Sequence, residues 1–197
     1  RDRRDAIVTL RRPTRAMVAQ MSKTPQKAQT GHREQVTYFA YGSNMSSRRL
    51  LARVPSATFY AKALLRGHQL RFHKHSHVDN SAKCDAFKTG DPDDVTHGIL
   101  FLFDAVEQAE LDMCEGEGYK ISQVQVELED GSRVQALTYL AVQIEPRLRP
   151  YPWYKRHVLE GAREHALPAE YIAWIEAVET QEDPNRQRSQ HELTIHQ

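Results

Sequence analysis

The chain has 197 residues, of which 27 are Lys or Arg and 26 are Asp or Glu, for a formal charge of +1. That length fits one domain with or without a tail, and the charge balance lacks the basic excess that marks nucleic-acid or anionic-membrane partners. No apolar run is long enough to span a bilayer, and two cysteines make no disulfide framework, which points to a reducing, cytoplasmic setting.

The first 35 residues stand apart. Seven Arg and two Lys against Asp2, Asp5 and Glu34 give +6 in a stretch with few large apolar residues. Such a segment lacks the apolar surface to order itself, so a disordered arm is expected over residues 1–35. A transit peptide would be poor in acids, which Asp2 and Asp5 contradict, and Met21 is a candidate natural start. The remaining residues hold 18 basic and 23 acidic groups, or −5, so the expected domain at residues 36–180 is mildly acidic. Residues 181–197 read as a polar, frayed tail.

Val36–Tyr41 is β-branched and aromatic, a short strand stopped at Gly42. Met45–Val54 reads as a short helix ending before Pro55. Ala57–Leu65 and Gln69–Lys74 are expected strands around Gly67, and His77–Asp94 reads as a polar loop. Val95–Phe103 ends in a continuous apolar run, typical of a strand buried on both faces. Asp104 with Glu107 resembles a capping box opening a helix over Ala105–Met113. Lys120–Leu128 and Arg133–Ala141 flank Glu129-Asp130-Gly131-Ser132, a hairpin signal. Tyr151–Ala166 and Ala169–Glu179 are expected helices divided by Leu167-Pro168. Strands in the middle and helices late predict an α+β fold, a small mixed β-barrel with flanking helices.

Four segments could carry chemistry. In Tyr38-Phe39-Ala40-Tyr41-Gly42-Ser43-Asn44 a strand delivers the chain to a Gly turn whose amides can hold a carboxylate or an oxyanion; the same residues also make an ordinary strand–turn–helix corner. In Leu111–Tyr119 the carboxylates Asp112, Glu115 and Glu117 crowd the end of a helix, where the dipole disfavours negative charge. That placement suits a proton-transferring carboxyl, or equally a solvated acidic turn. His73, His75 and His77 share one face of a regular strand, so zinc is conceivable, but no fourth ligand follows at a recognised spacing. Cys114 beside Glu115 could be a nucleophile, though no paired histidine is identifiable. Ser43 fails the Gly-x-Ser-x-Gly pattern, since Tyr41 and Met45 occupy the two glycine positions.

Together these segments resemble one family. Tyr38–Asn44 looks like the signature loop of the γ-glutamylcyclotransferases, and Leu111–Gly116 is similar to their Leu-Asp-x-x-Glu-Gly segment. Phe72-His73-Lys74 with Lys83-Cys84-Asp85-Ala86 resembles a stretch of bacterial members, and Tyr139-Leu140 and Pro152-Trp153-Tyr154-Lys155 match later positions. The resemblance runs from about Val36 to Ala177. It implies a mixed barrel with a cavity for a γ-glutamyl group, cradled by Tyr38, Phe39, Ala40, Tyr41, Gly42, Ser43 and Asn44 and lined by Tyr154. Glu115 would be the general acid/base, with Glu117 the fallback. The expected reaction is attack of the substrate's α-amine on its γ-carbonyl, giving 5-oxoproline and a free amine without metal or cofactor. The partner would be a small γ-glutamyl compound, with no nucleic acid and no membrane, and the protein a monomer or homodimer. A γ-glutamylamine cyclotransferase, a biosynthetic γ-glutamyl-removing enzyme, a non-catalytic small-molecule binder and an amide hydrolase using Cys114 remain the alternatives.

Overall fold

The computed structural model describes residues 34–196, so the predicted basic arm lies outside the described residues except for its last two positions. Seven strands follow in chain order: β1 Gln35–Ala40, β2 Thr58–Arg66, β3 His68–Ser76, β4 Ser81–Lys88, β5 Val95–Asp104, β6 Tyr119–Leu128 and β7 Arg133–Ala141. Five of them close into a barrel in the order β1-β5-β2-β6-β7, while β3 and β4 form a separate hairpin. All barrel pairings are antiparallel except the closing one, where β1 meets β7 in parallel at Tyr38 and Leu137. The α+β mixed barrel expected from the sequence is thus the fold.

The helices are α1 Ser47–Leu51, α2 Gln108–Glu115, α3 Pro152–Glu164, α4 Ala169–Ala177 and α5 Arg186–Thr194. Pro152 opens α3 at its first turn, where its missing N–H costs nothing. Ile99, Leu100, Phe101 and Phe103 of β5 are all buried. One face of β5 fills the barrel, and the outer face is covered from the α3–α4 side, with His165 against Phe101 and Tyr171 against His97. The β6–β7 turn is the predicted one: Gly131 has φ 80° and Asp130 Oδ1 accepts from the Ser132 amide at 2.9 Å.

Three expectations need correction. The polar stretch His77–Asp94 contains strand β4 rather than loop throughout. Its inward residues are small, Ala82, Cys84 and Ala86, so the hydrophobic alternation is weak, and pairing with β3 makes the strand. The first helix is a 3₁₀ turn at Ser43–Met45 followed by the short α1. The tail after Gln181 is not frayed, because Asn185 caps α5 by accepting from the Arg188 amide at 3.0 Å. At the start of α2, the Glu107 carboxylate is taken by the amide and hydroxyl of Ser56, at 3.1 and 2.5 Å.

One glycine fixes how the helices meet the barrel end. A Cβ on Gly161 of α3 would lie 2.5 Å from Ser46 N and 2.6 Å from the Met45 carbonyl carbon, so only a glycine lets α3 press against the turn at Ser43–Met45. Gly161→Ala should raise helix propensity by up to about 1 kcal/mol, but overpacking typically costs about 1–3 kcal/mol. Urea unfolding of the variant should therefore show a net loss of stability; a gain would show that the α3 contact is loose.

Candidate active site

The segments singled out in the sequence converge at one end of the barrel. At the end of β1 the chain turns at Gly42, with φ −116° and ψ −140°, into the 3₁₀ turn of Ser43–Met45. A Cβ on Gly42 would stand 3.0 Å from Cys84 Cβ and 3.5 Å from the Tyr154 hydroxyl, so the glycine keeps this corner open. The first amides of a helical turn have no partner within it, and those of Ser43 and Asn44 begin this one. Glu115 is the last residue of α2, and Gly116 with φ 68° turns the chain away behind it.

Asn44 joins the two. Its Nδ2 donates to Glu115 Oε1 at 2.6 Å and to the Tyr38 hydroxyl at 3.1 Å. Arg53 Nη1 donates to Asn44 Oδ1 at 2.9 Å and stands 3.5 Å from Glu115 Oε1. A mostly buried carboxylate is thereby held by an amide and faced by a guanidinium, as burial of such a group demands.

A narrow well surrounds this carboxylate, lined by Gly42, Ser43, Asn44, Cys84 and five tyrosines: Tyr38, Tyr41, Tyr119, Tyr139 and Tyr154. Burial pushes all five phenols above their usual range, with the Glu115 charge adding to the effect at each. They are therefore neutral hydroxyls at any working pH. The Tyr41 hydroxyl donates to the Tyr139 carbonyl, that of Tyr139 to Asp112 Oδ1 at 2.5 Å, and that of Tyr119 to the Cys84 carbonyl at 2.5 Å. The Tyr154 hydroxyl accepts from the Cys84 amide at 3.0 Å. These bonds tie the end of β1 and strands β4, β6 and β7 to α2 and α3 around one small volume.

The well opens, past Ser43, Glu115, Tyr119 and Tyr154, into a cleft of about 500 Å³, within the size range of small-molecule sites. Its walls carry five cations, Arg49, Arg53, Lys74, Lys83 and Arg188. The far wall is α5, which packs Leu193 against the core and is otherwise docked through polar and charged groups. Glu192 pairs with Arg49 at 2.7 Å and with His157 Nε2 at 2.8 Å, and Asp183 accepts from Trp153 Nε1 at 2.7 Å and Arg188 Nε at 2.8 Å.

Of the residues read from the sequence, Tyr38, Tyr41, Gly42, Ser43, Asn44, Glu115 and Tyr154 line the well. Phe39 and Ala40 do not. Both are core residues, Phe39 packing where a Cβ on Gly98 would sit 2.5 Å from its ring. Glu117 is exposed and borders only the outer cleft. The three histidines do not share one face: a bulge between Phe72 and Lys74 changes the phase of β3 and sets His73 apart from His75 and His77, whose rings lie 4.2 Å from each other. His73 turns to Asp85, His75 to Asn80 and His77 to Gln143. Among the described residues no group of three or more His, Cys, Asp or Glu side chains is placed to hold a metal. Cys114 is exposed at the cleft rim, and no described histidine is bonded to it. Sequence reasoning missed Tyr119, although it directly follows the Glu-Gly segment, and the basic lining of the cleft, whose members are scattered over 140 positions.

Comparison with known proteins places these features in context. The profile of the AIG2-like family matches residues 96–175. Proteins named gamma-glutamylcyclotransferase from human and cattle are each 31% identical to this chain over 153 residues, covering 74% of it and 80% of their own length. A solved structure named gamma-glutamyl cyclotransferase superposes with a TM-score of 0.73 at 27% identity, covering 82% of this chain and 99% of its own. No helix of the described residues is long and apolar enough to cross a membrane.

The docking of α5 makes stability pH-dependent in a defined window. Burial, with the Arg49 charge, holds His157 down at about 4, against 6.5 for a free imidazole. Between those values the unfolded chain binds a proton that the folded chain refuses, so stability falls as pH drops from 6.5 to 4. Burial opposes the charge on Glu192, but its bonds from His157 and Arg49 outweigh that and hold it at about 2 against 4.5, so its contribution is lost at still lower pH. His157→Gln should flatten the stability–pH curve between 6.5 and 4, by at most one proton's worth of slope. Wild-type and variant curves that run parallel there would contradict the assignment.

Proposed function

The chain belongs to the γ-glutamylcyclotransferase family and is an enzyme of that kind, and from that premise we propose that Glu115 moves the protons in a cyclisation that releases 5-oxoproline. The observation that carries the proposal is the Asn44–Glu115–Arg53 cluster at the mouth of a well lined by neutral hydroxyls. A γ-glutamyl amide contains its own nucleophile, the α-amine, five atoms around from the γ-carbonyl. Holding the ring-closing conformer contributes several kcal/mol, since well-oriented intramolecular reactions gain about 7–11 kcal/mol at best.

In the proposed sequence the α-nitrogen forms a bond to the γ-carbon, and the bond from that carbon to the leaving nitrogen breaks. The α-ammonium gives up two protons in becoming a lactam N–H, and the leaving nitrogen gains two in departing as an ammonium. A single carboxylate between the two nitrogens can carry them in turn, and Glu115 stands at the junction of well and cleft where both would lie. Asn44 and Arg53 fix its orientation. The amides at Ser43 and Asn44 are suited to the tetrahedral oxyanion or to the α-carboxylate of the glutamyl group. The phenols make the wall of the well polar without charge, which suits a polar but compact amino-acid portion. The free thiols Cys84 and Cys114 fit a reducing, cytoplasmic setting.

Incubation with γ-glutamyl-alanine should release 5-oxoproline and alanine in equal amounts. Free glutamate would indicate hydrolysis, and no product a binding module. Glu115→Gln preserves shape and the Asn44 hydrogen bond yet cannot carry a proton. It should keep the wild-type melting temperature within a few degrees and lose about 10²–10⁴-fold in kcat. A variant that still forms 5-oxoproline at the wild-type rate would remove Glu115 from the mechanism.

A further inference from the structure

Glu192 stands in the wall of the cleft, on a helix that the proposed reaction does not use. One of its oxygens, Oε2, accepts from Arg49 Nη1 at 2.7 Å and lies 2.8 Å from His157 Nε2. Among the described residues Arg49 pairs with no other carboxylate. Arg49 is buried, and its Nε has no hydrogen-bond partner there. A guanidinium taken out of water in this way depends on the one carboxylate that faces it.

The charge held by Glu192 borders the cluster around Glu115. Arg49 lies in α1 and Arg53 follows four positions later, the chain keeping its helical path through bonds from Arg53 N and Val54 N to Leu50 O at 2.9 and 2.8 Å. Residues four apart on such a path face the same way, and both arginines line the cleft. Burial first, and then the Arg53 charge, weaken the hold of Arg49 on its proton, while Glu192 strengthens it. Arg53 in turn donates to Asn44 Oδ1 at 2.9 Å and stands 3.5 Å from Glu115 Oε1. The four charges are thus linked: Glu192 with Arg49, Arg49 beside Arg53, and Arg53 with Glu115.

We infer that Glu192 is a positioning residue for the reaction, holding Arg49 so that Arg53 keeps its place between Asn44 and Glu115. Without the Glu192 charge Arg49 repels Arg53 unopposed. Arg53 then moves off Asn44 Oδ1, and the Asn44 amide that holds Glu115 loses the bond that orients it. The helix itself does not rely on Glu192 alone. Asp183 accepts from Trp153 Nε1 and pairs with Arg188, Asn185 caps the first turn, and Leu193 packs against the core. This inference rests on the role of Glu115 proposed above.

Glu192→Gln and Arg49→Met break the same ion pair, but only the first leaves a repelling charge beside Arg53. Glu192→Gln should lower kcat for release of 5-oxoproline from γ-glutamyl-alanine by about 2- to 30-fold, with KM changed less. Arg49→Met should lose less, and adding Arg49→Met to Glu192→Gln should restore kcat to the level of Arg49→Met. In an Arg53→Gln background Glu192→Gln should have no further effect on kcat, since its effect passes through Arg53. Equal losses from the two single variants, or a Glu192→Gln loss that persists without Arg53, would reduce the ion pair to a structural tie and overturn the inference. Melting temperatures identify the folded variants. If Glu192→Gln does not fold, folded Arg49→Met decides, and a kcat loss of about tenfold or more there would overturn the assignment. Full activity of Glu115→Gln, or a wild type that forms no 5-oxoproline, would instead remove the mechanism on which the inference rests.

Discussion

A carboxylate taken out of water must be held by other polar groups, and the site depends on how this chain meets that demand. Asn44 and Glu115 are separated by 71 positions and meet at 2.6 Å. The contact fixes the end of β1 against the end of α2, and Arg53 bridges to both. Without it the glycine turn and the acidic helix end would be two unremarkable surface corners. With it they form the mouth of a well whose surrounding phenols are polar and uncharged.

Much of the remaining architecture keeps that mouth in place. Tyr41, Tyr119, Tyr139 and Tyr154 each spend a hydroxyl on a neighbouring element, so the walls of the well are also the bonds that join the end of β1, β4, β6, β7, α2 and α3. Gly161 admits α3 against the site turn, and Gly118 admits Lys74 beside the cleft. At the outer side, α5 closes the wall through Glu192, His157 and Arg49. The well is built from backbone turns and packed rings, while the cleft is built from ion pairs.

The sequence was legible where local chemistry and tertiary structure agree. The apolar run in β5, the Asp-Gly turn between β6 and β7 and the proline opening α3 each carry their cause within a few residues. The site loop and Glu115 were legible for the same reason, since a glycine turn after a strand and a carboxylate at a helix end are local patterns. What escaped was set at a distance. Strand β4 has small apolar inward residues, so β3 decides its conformation, and α5 packs Leu193 against the core and is otherwise held by Arg49, His157 and Asp183 from elsewhere. The bulge that sets His73 apart from His75 and His77 leaves no mark in the sequence. Phe39 and Ala40 were assigned to the site because they lie within its signature loop, but the packing of Phe39 over Gly98 places them in the core.

The central claim is that the site makes the substrate's own amine, and not water, the nucleophile. Turnover of γ-glutamyl-alanine in ¹⁸O-labelled water, followed by mass spectrometry of the products, tests it directly. The account predicts 5-oxoproline whose ring carbonyl oxygen comes wholly from the substrate, with no solvent label. Glutamate carrying one labelled oxygen in its γ-carboxylate as the first product would contradict it.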